Sequence, residues 1–262
     1  MMNMSPLRNF YHAQLTAAAI ASVDSYTVLL AHFDGTADSK VFTDSSTYGK
    51  TMTGNGSAHL SATQSKFGGT SVYLKGSNGT VNVLGSREVI SLSDSADWYM
   101  GTGSFTIDWW HYSGITTTQM TFGQYTNSTN WWGVFSYPAP NTSNQVLGLG
   151  ALTAGAWDIN ISATSSTTES PINTWNHYAV VRIDNGNAAS SWRLYINGIS
   201  KTVSLNVGAF SGAIGDYSGT AYIGTLLGNF QLDLNGYVDE LRISKGIARW
   251  TAATFSVPTS PY

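Results

Sequence analysis

From Tyr26 onward, apolar side chains recur at every second position in short runs. The runs are separated by pairs such as Asp34-Gly35, Asn78-Gly79, Asn185-Gly186, Asn197-Gly198 and Gly228-Asn229. A period of two sends alternate side chains to opposite faces of an extended strand, and these pairs accept the positive φ that tight hairpins demand. The runs predict strands at 27–33, 70–75, 105–112, 120–125, 131–137, 146–149, 157–162, 177–183, 192–196, 221–223 and 237–243. In the third of these, Phe105, Ile107 and Trp109 share one face, while Thr106, Asp108, Trp110 and Tyr112 share the other. Trp192, Leu194 and Ile196 are set against Arg193, Tyr195 and Asn197 in the same way. One apolar and one mixed face is the pattern of a sheet packed on a second sheet. The chain therefore reads as all-β, an antiparallel sandwich, with Trp109, Trp175 and Trp192 assigned to its core. Parity slips between Val238 and Leu241, which predicts a bulge at Asp239-Glu240. No stretch sustains a helical period, and 33 Ser, 30 Thr and 27 Gly against three Glu disfavour helices throughout.

The 262 residues suit one large all-β domain at 26–262, without an internal repeat. Residues 1–25 read as a short N-terminal arm, helical or extended, that contacts an assembly. Its apolar stretch Leu15–Ala21 is a poor secretion signal, since it is short and only Arg8 precedes it as a basic residue. Charged residues make up 10% of the chain and the formal net charge is −3, so there is no basic field for a phosphate backbone and no nucleic-acid partner is expected. No run approaches the ~18 apolar residues of a membrane span. Cysteine is absent, which removes disulfides and thiolate metal sites.

Several segments, taken in order, resemble the laminin G-like branch of the concanavalin A-like lectin/glucanase superfamily. They are Val28-Leu29-Leu30-Ala31-His32-Phe33-Asp34-Gly35, Lys66-Phe67-Gly68-Gly69-Thr70-Ser71, Ser104-Phe105-Thr106-Ile107-Asp108-Trp109-Trp110, Trp175-Asn176-His177-Tyr178-Ala179-Val180-Val181-Arg182, Leu194-Tyr195-Ile196-Asn197-Gly198 and Gly236-Tyr237-Val238-Asp239-Glu240-Leu241-Arg242-Ile243. The resemblance spans about 230 residues and implies a jelly-roll sandwich of two curved sheets. The ending, Ser244-Lys245-Gly246-Ile247-Ala248-Arg249-Trp250 followed by Phe255, Pro258 and Pro261-Tyr262, is similar to a variant frequent in bacteriophage particle proteins.

Glycoside hydrolases occur in that superfamily and need two suitably spaced carboxyl groups. Of the three glutamates, Glu88, Glu169 and Glu240, none has an acidic residue two positions away, and Asp239 and Glu240 are adjacent. No G-x-S-x-G elbow, P-loop or dinucleotide fingerprint occurs, and no histidine pair has helical zinc-ligand spacing. His177 is assigned a structural hydrogen bond, and the chain is expected not to be an enzyme.

Related sandwiches often hold a structural Ca2+ between the first and last strands, and Asp34 and Asp239 match that pairing by position. The alternative roles are an Asp-Gly turn for Asp34 and backbone hydrogen bonds at the bulge for Asp239. Sugar binding calls for exposed aromatics beside amide or carboxylate partners. The stretch Tyr125, Asn127, Asn130, Trp131, Trp132 and Tyr137, with Trp157 as a further candidate, meets that requirement, although the same rings would serve a protein interface. Consecutive tryptophans on a strand face opposite ways, so only one of Trp131 and Trp132 can be core. Together these readings predict a non-catalytic bacteriophage virion structural protein at the particle surface, either a capsid decoration or a tail-associated adhesion component. Its partners would be other virion proteins, further copies of itself and cell-surface glycans. The alternative is a secreted bacterial carbohydrate-binding module.

Overall fold

The computed structural model describes residues 23–76, 87–139, 144–164, 170–207, 212–226 and 232–262. Residues 1–22 of the expected arm lie outside them, as do Asn78-Gly79, Gly228-Asn229 and Glu169. In chain order the strands are β1 (Thr27–Ala31), β2 (Val41–Phe42), β3 (Met52–Asn55), β4 (His59–Ser61), β5 (Ser71–Lys75), β6 (Val89–Leu92), β7 (Phe105–Ser113), β8 (Gln119–Asn127) and β9 (Asn130–Pro138). They continue with β10 (Gln145–Thr153), β11 (Ala156–Ala163), β12 (Trp175–Arg182), β13 (Trp192–Ile196), β14 (Ile199–Lys201), β15 (Val203–Leu205), β16 (Thr220–Ile223) and β17 (Asn235–Lys245).

All pairings between these strands are antiparallel, and they form two sheets. One runs β14-β13-β12-β7-β17-β5-β4, with β1 paired to the second half of β17; the other runs β15-β11-β10-β9-β8-β16-β6-β3-β2. Each predicted strand coincides with an observed one. The inner faces meet in one large core that takes Ile107, Trp109, Tyr178, Val180, Leu194 and Leu241 from the first sheet and Phe122, Trp132, Val134, Leu149 and Ile161 from the second. Trp109 stacks on Tyr178 with centroids 5.6 Å apart, and Phe122 bridges Trp98 and Trp132 at 5.3 and 5.5 Å. Trp109 and Trp192 are fully buried as expected. Trp175 is not a core residue: it is half-buried, edge-on to Tyr112, because alternation along β12 sends it to the outer face with Ala179 and Val181 while Tyr178 and Val180 face the core.

The bulge in β17 is where parity predicted it. Asp239 faces Trp110 and Arg242 faces Asp108, so Glu240 and Leu241 together oppose a single residue of β7. Glu240 takes φ +51° to accommodate the extra residue. Asp239 and Arg242 thereby both reach the outer face while Leu241 returns to the core.

That outer face is covered. After Gly246 the chain crosses it as a strap, residues 250–262, whose stacked Trp250 and Phe255 rings (3.9 Å, 8°) pack on Tyr195, Ala179 and Val181. Beneath the strap a buried Asp108 forms two bonds to Arg242, at 3.1 and 3.2 Å, and accepts a bond from the Tyr262 hydroxyl. Where the strap begins, Arg249 clamps Asp24 at 2.9 and 3.1 Å, and Asp24 also accepts from the amides of Tyr26 and Thr27. Residues 23–25 are thus already part of the sandwich.

Candidate functional site

The outer face of the nine-stranded sheet carries a second apolar cluster, separate from the core. Alternation along β9 sends Trp132 and Val134 inward and Trp131, Gly133 and Phe135 outward. Register sets Gly150 of β10 against Gly133, and Gly148 against Phe135. These glycines leave open floor on the sheet that the edges of large rings fill. A Cβ at Gly150 would stand 3.2 Å from the rings of both Trp131 and Trp157, and one at Gly148 would stand 2.6 Å from Phe135. Trp131 and Trp157 meet edge to face at 5.6 Å and 83°. With Thr118, Met120, Leu152, Asn160 and Leu232 they enclose a cavity of about 300 Å³. That is the lower end of small-molecule sites, which run from ~300 to 1,000 Å³.

The polar groups lie at the margin. Asn160 Oδ1 accepts from Asn206 Nδ2 at 3.0 Å, and Asn206 Oδ1 accepts from the Ser162 hydroxyl at 3.2 Å, so the row of amides is held in a fixed orientation. The half-buried Tyr137 hydroxyl donates to Ala163 O at 3.4 Å, and burial pushes its phenol up from the ordinary value. The chemistry on offer is stacking against one tryptophan edge pair, with neutral hydrogen bonding at one side.

Of the seven residues singled out from sequence, Trp131 and Trp157 line the cavity, the first nearly buried and the second 37% exposed. Tyr125 packs beside Trp131. Asn127 and Asn130 shape the β8–β9 hairpin instead: Asn127 Oδ1 accepts from Thr129 N and Asn130 Nδ2, and Asn130 Oδ1 accepts from Ala154 N. Trp132 is a correction, because its ring faces the core, fully buried, with Nε1 donating to Gln124 Oε1 at 3.3 Å. Met120, Phe135, Leu152, Leu232 and Asn160 were missed. The matched alternation Trp131-Gly133-Phe135 and Gly148-Gly150-Leu152 is the signal that would have found two of them, Phe135 and Leu152.

Asp34 and Asp239 lie at the bulge end of the other sheet. Asp239 Oδ2 accepts from the amides of Lys66 and Phe67 at 2.7 and 3.2 Å, while its buried Oδ1 has no partner among the described residues. Burial raises the Asp239 carboxyl to about 7; the two amides oppose this, and the charges of Glu240 and Asp34 add to it. Burial, then the Glu240 charge, raises Asp34 as well. The Asp34 carboxylate presses on the backbone of Gly68, where a Cβ would fall 1.5 Å from Oδ1 and φ is +59°. Nearby, Glu240 binds His32 Nδ1 at 2.9 Å and accepts the Tyr262 amide at 3.1 Å, and the Glu240 bond raises the His32 pKa. An unpartnered buried oxygen and two raised carboxylates are the donor chemistry a hard cation takes. Among the described residues no group of three or more His, Cys, Asp or Glu is placed to hold a metal ion. Such an ion would therefore rest on Asp34, Asp239 and backbone carbonyls.

Among the described residues that line the aromatic cavity there is no carboxylate. His177 is fully buried, with Nε2 3.3 Å from the Tyr262 hydroxyl and 3.6 Å from Asp108, a structural position under the strap.

A family model described as Laminin_G_3, concanavalin A-like lectin/glucanases superfamily, matches residues 84–249. Among solved structures the chain is similar to domain 4 of AbnA, a GH43 extracellular arabinanase from Geobacillus stearothermophilus, in complex with arabinotriose. The TM-score is 0.54 at 20% identity, over 85% of this chain and 93% of that one. It is also similar to the binding domain of Paraclostridial Mosquitocidal Protein 1 (TM-score 0.56, 14% identity, 85% and 49%). A third likeness is to botulinum neurotoxin type C, in a structure concerned with its interaction with two ganglioside molecules (0.55, 14%, 85% and 49%). The chain spans about half the length of the two toxin chains. No curated protein matches it by sequence.

Proposed function

This chain belongs to the concanavalin A-like lectin/glucanases superfamily, and from that premise we propose that it is a non-catalytic protein that binds carbohydrate in the Trp131–Trp157 groove of its nine-stranded sheet. The carrying observation is the glycine floor. Gly148 and Gly150 clear a strip of sheet that the edges of aromatic rings fill beside a preorganised amide row, and no carboxylate is among the described residues lining the cavity. Its place of work is the surface of a bacteriophage particle, as a capsid decoration or a tail-associated adhesion component. There many copies convert weak single sites into avidity for cell-surface glycans. Its partners are other virion proteins and further copies of itself. A structural Ca2+ held by Asp34 and Asp239 completes the reading. No helix among the described residues is long and apolar enough to cross a membrane.

A secreted bacterial carbohydrate-binding module is the second reading, favoured by the likeness to a domain of an extracellular arabinanase. Two measurements decide. A glycan array probed with the full chain and with Trp157→Ala tests the groove; carbohydrate binding that the substitution leaves intact removes it. Immunogold labelling of particles purified from the source culture tests the location: labelled heads or tails support the virion reading, and protein found only in the medium supports the secreted one.

A further inference from the structure

Every hydrogen bond made by strap residues 250–262 among the described residues leads to the body of the sandwich, and none joins two strap residues. Phe255 N donates to Gly198 O, and Ala253 O accepts from Ser200 N. Thr251 O and Ala252 O accept from Arg193 Nε and the Tyr195 hydroxyl. At its end Tyr262 is the anchor: its amide donates to Glu240, its hydroxyl to the buried Asp108, and its ring lies 3.7 Å from the Arg242 guanidinium carbon. The donors belong to the strap residue and the carboxylates to the sheet, so the fit is complementary in hydrogen bonding as well as in shape. A bare face would expose Ala179, Val181 and Tyr195 and strip a partner from the buried Asp108, Glu240 and His177. It must therefore be filled.

None of these bonds depends on strap and sheet belonging to one chain. The last residue clamped before the strap is Arg249, held by Asp24 and Ser244 of its own body, and Gly246 just ahead turns the chain at φ +87°. The thirteen strap residues 250–262 reach about 43–47 Å when extended, enough to lie across an adjoining molecule. Exchange between identical copies conserves every contact and alters only the hinge, which is the condition under which swapping occurs at low cost. We propose that residues 250–262 dock in exchange on the outer face of the eight-stranded sheet of a second copy of this chain, joining copies without any additional interface. The inference is independent of what the aromatic groove binds.

The chain has no cysteine, which permits a clean test. Ile199 and Thr254 form an isolated antiparallel bridge, a spacing that suits a disulfide, and both side chains are exposed. Full-length Ile199→Cys and Thr254→Cys proteins are mixed at high concentration, incubated, oxidised and run on a non-reducing gel. A control mixture pairs Thr254→Cys with Val41→Cys, whose exposed cysteine lies on the other sheet. Exchange predicts a disulfide-linked heterodimer several-fold above the control, forming faster when Tyr262→Phe is added to the strap-bearing partner. Heterodimer no more abundant than the control, while one chain carrying both cysteines closes on itself, would overturn the proposal. A yield insensitive to Tyr262→Phe would overturn the anchoring role assigned to the phenol.

Discussion

His111 offers the sharpest test of how the interior is built. It sits on the core side of β7, opposite Asn176 and Val238, 1% exposed, and neither ring nitrogen has a hydrogen-bond partner among the described residues. Burial alone drives its pKa from 6.5 to about 3. Because the folded value lies below the unfolded one, the unfolded chain takes up the proton first. The effect on stability is nil above pH 6.5 and becomes a loss as the pH falls toward 3. At ~1.36 kcal/mol per pH unit the full loss approaches 5 kcal/mol, and at pH 5 it is about 2 kcal/mol, a large share of a typical 5–15 kcal/mol stability. Urea unfolding of the wild type and of His111→Leu at pH 7.5 and pH 5.0 measures it. Other titrating groups cancel in the difference, so the variant should gain about 2 kcal/mol relative to wild type on acidification. Parallel losses in the two proteins would show that the imidazole finds a proton acceptor in the fold, and would refute the argument.

The two neighbouring tryptophans should separate function from stability. Trp157→Ala is expected to weaken glycan binding at least about tenfold, or ~1.4 kcal/mol, with little change in melting temperature by calorimetry. Trp132→Ala should cost about 3–5 kcal/mol of stability in urea melts through the cavity it leaves. Gly150→Ala places a methyl 3.2 Å from both groove rings and should lower affinity by isothermal titration while costing about 1–3 kcal/mol of stability through overpacking. Asp239 has the opposite sign to His111. With its folded pKa raised to about 7, its contribution is present at low pH and is lost as the pH rises from about 4 through 7. Millimolar Ca2+ at pH 8 should therefore raise the melting temperature of the wild type and chelation should lower it, while Asp239→Asn responds to neither.

Strands such as β7, β12 and β13 were legible because each runs five residues or more and one face meets the opposing sheet, so burial imposes a period of two on the sequence. β2, β3, β4, β6, β14 and β15 have two to four residues, which leaves little room for a period to show, and they are defined by pairing with neighbours distant in sequence or by short hairpins rather than by a pattern of their own. The bulge was readable because one extra residue shifts every side chain after it. Alternation could divide Trp131 from Trp132 but not say which faced inward; that is decided by which sheet lies behind β9. The buried Asp108–Arg242–Tyr262 contacts join residues up to 154 positions apart, and nothing local marks a proline-bearing tail as the cover of a sheet.

The clamp between Asp24 and Arg249 has a consequence for modularity. It brings two points 225 residues apart in the chain within hydrogen-bonding distance, both on the side of the eight-stranded sheet, with the aromatic groove on the opposite sheet. A domain joined to the sandwich through Asp24 would therefore sit beside the start of the strap, with the strap still in place and the groove on the far sheet unobstructed.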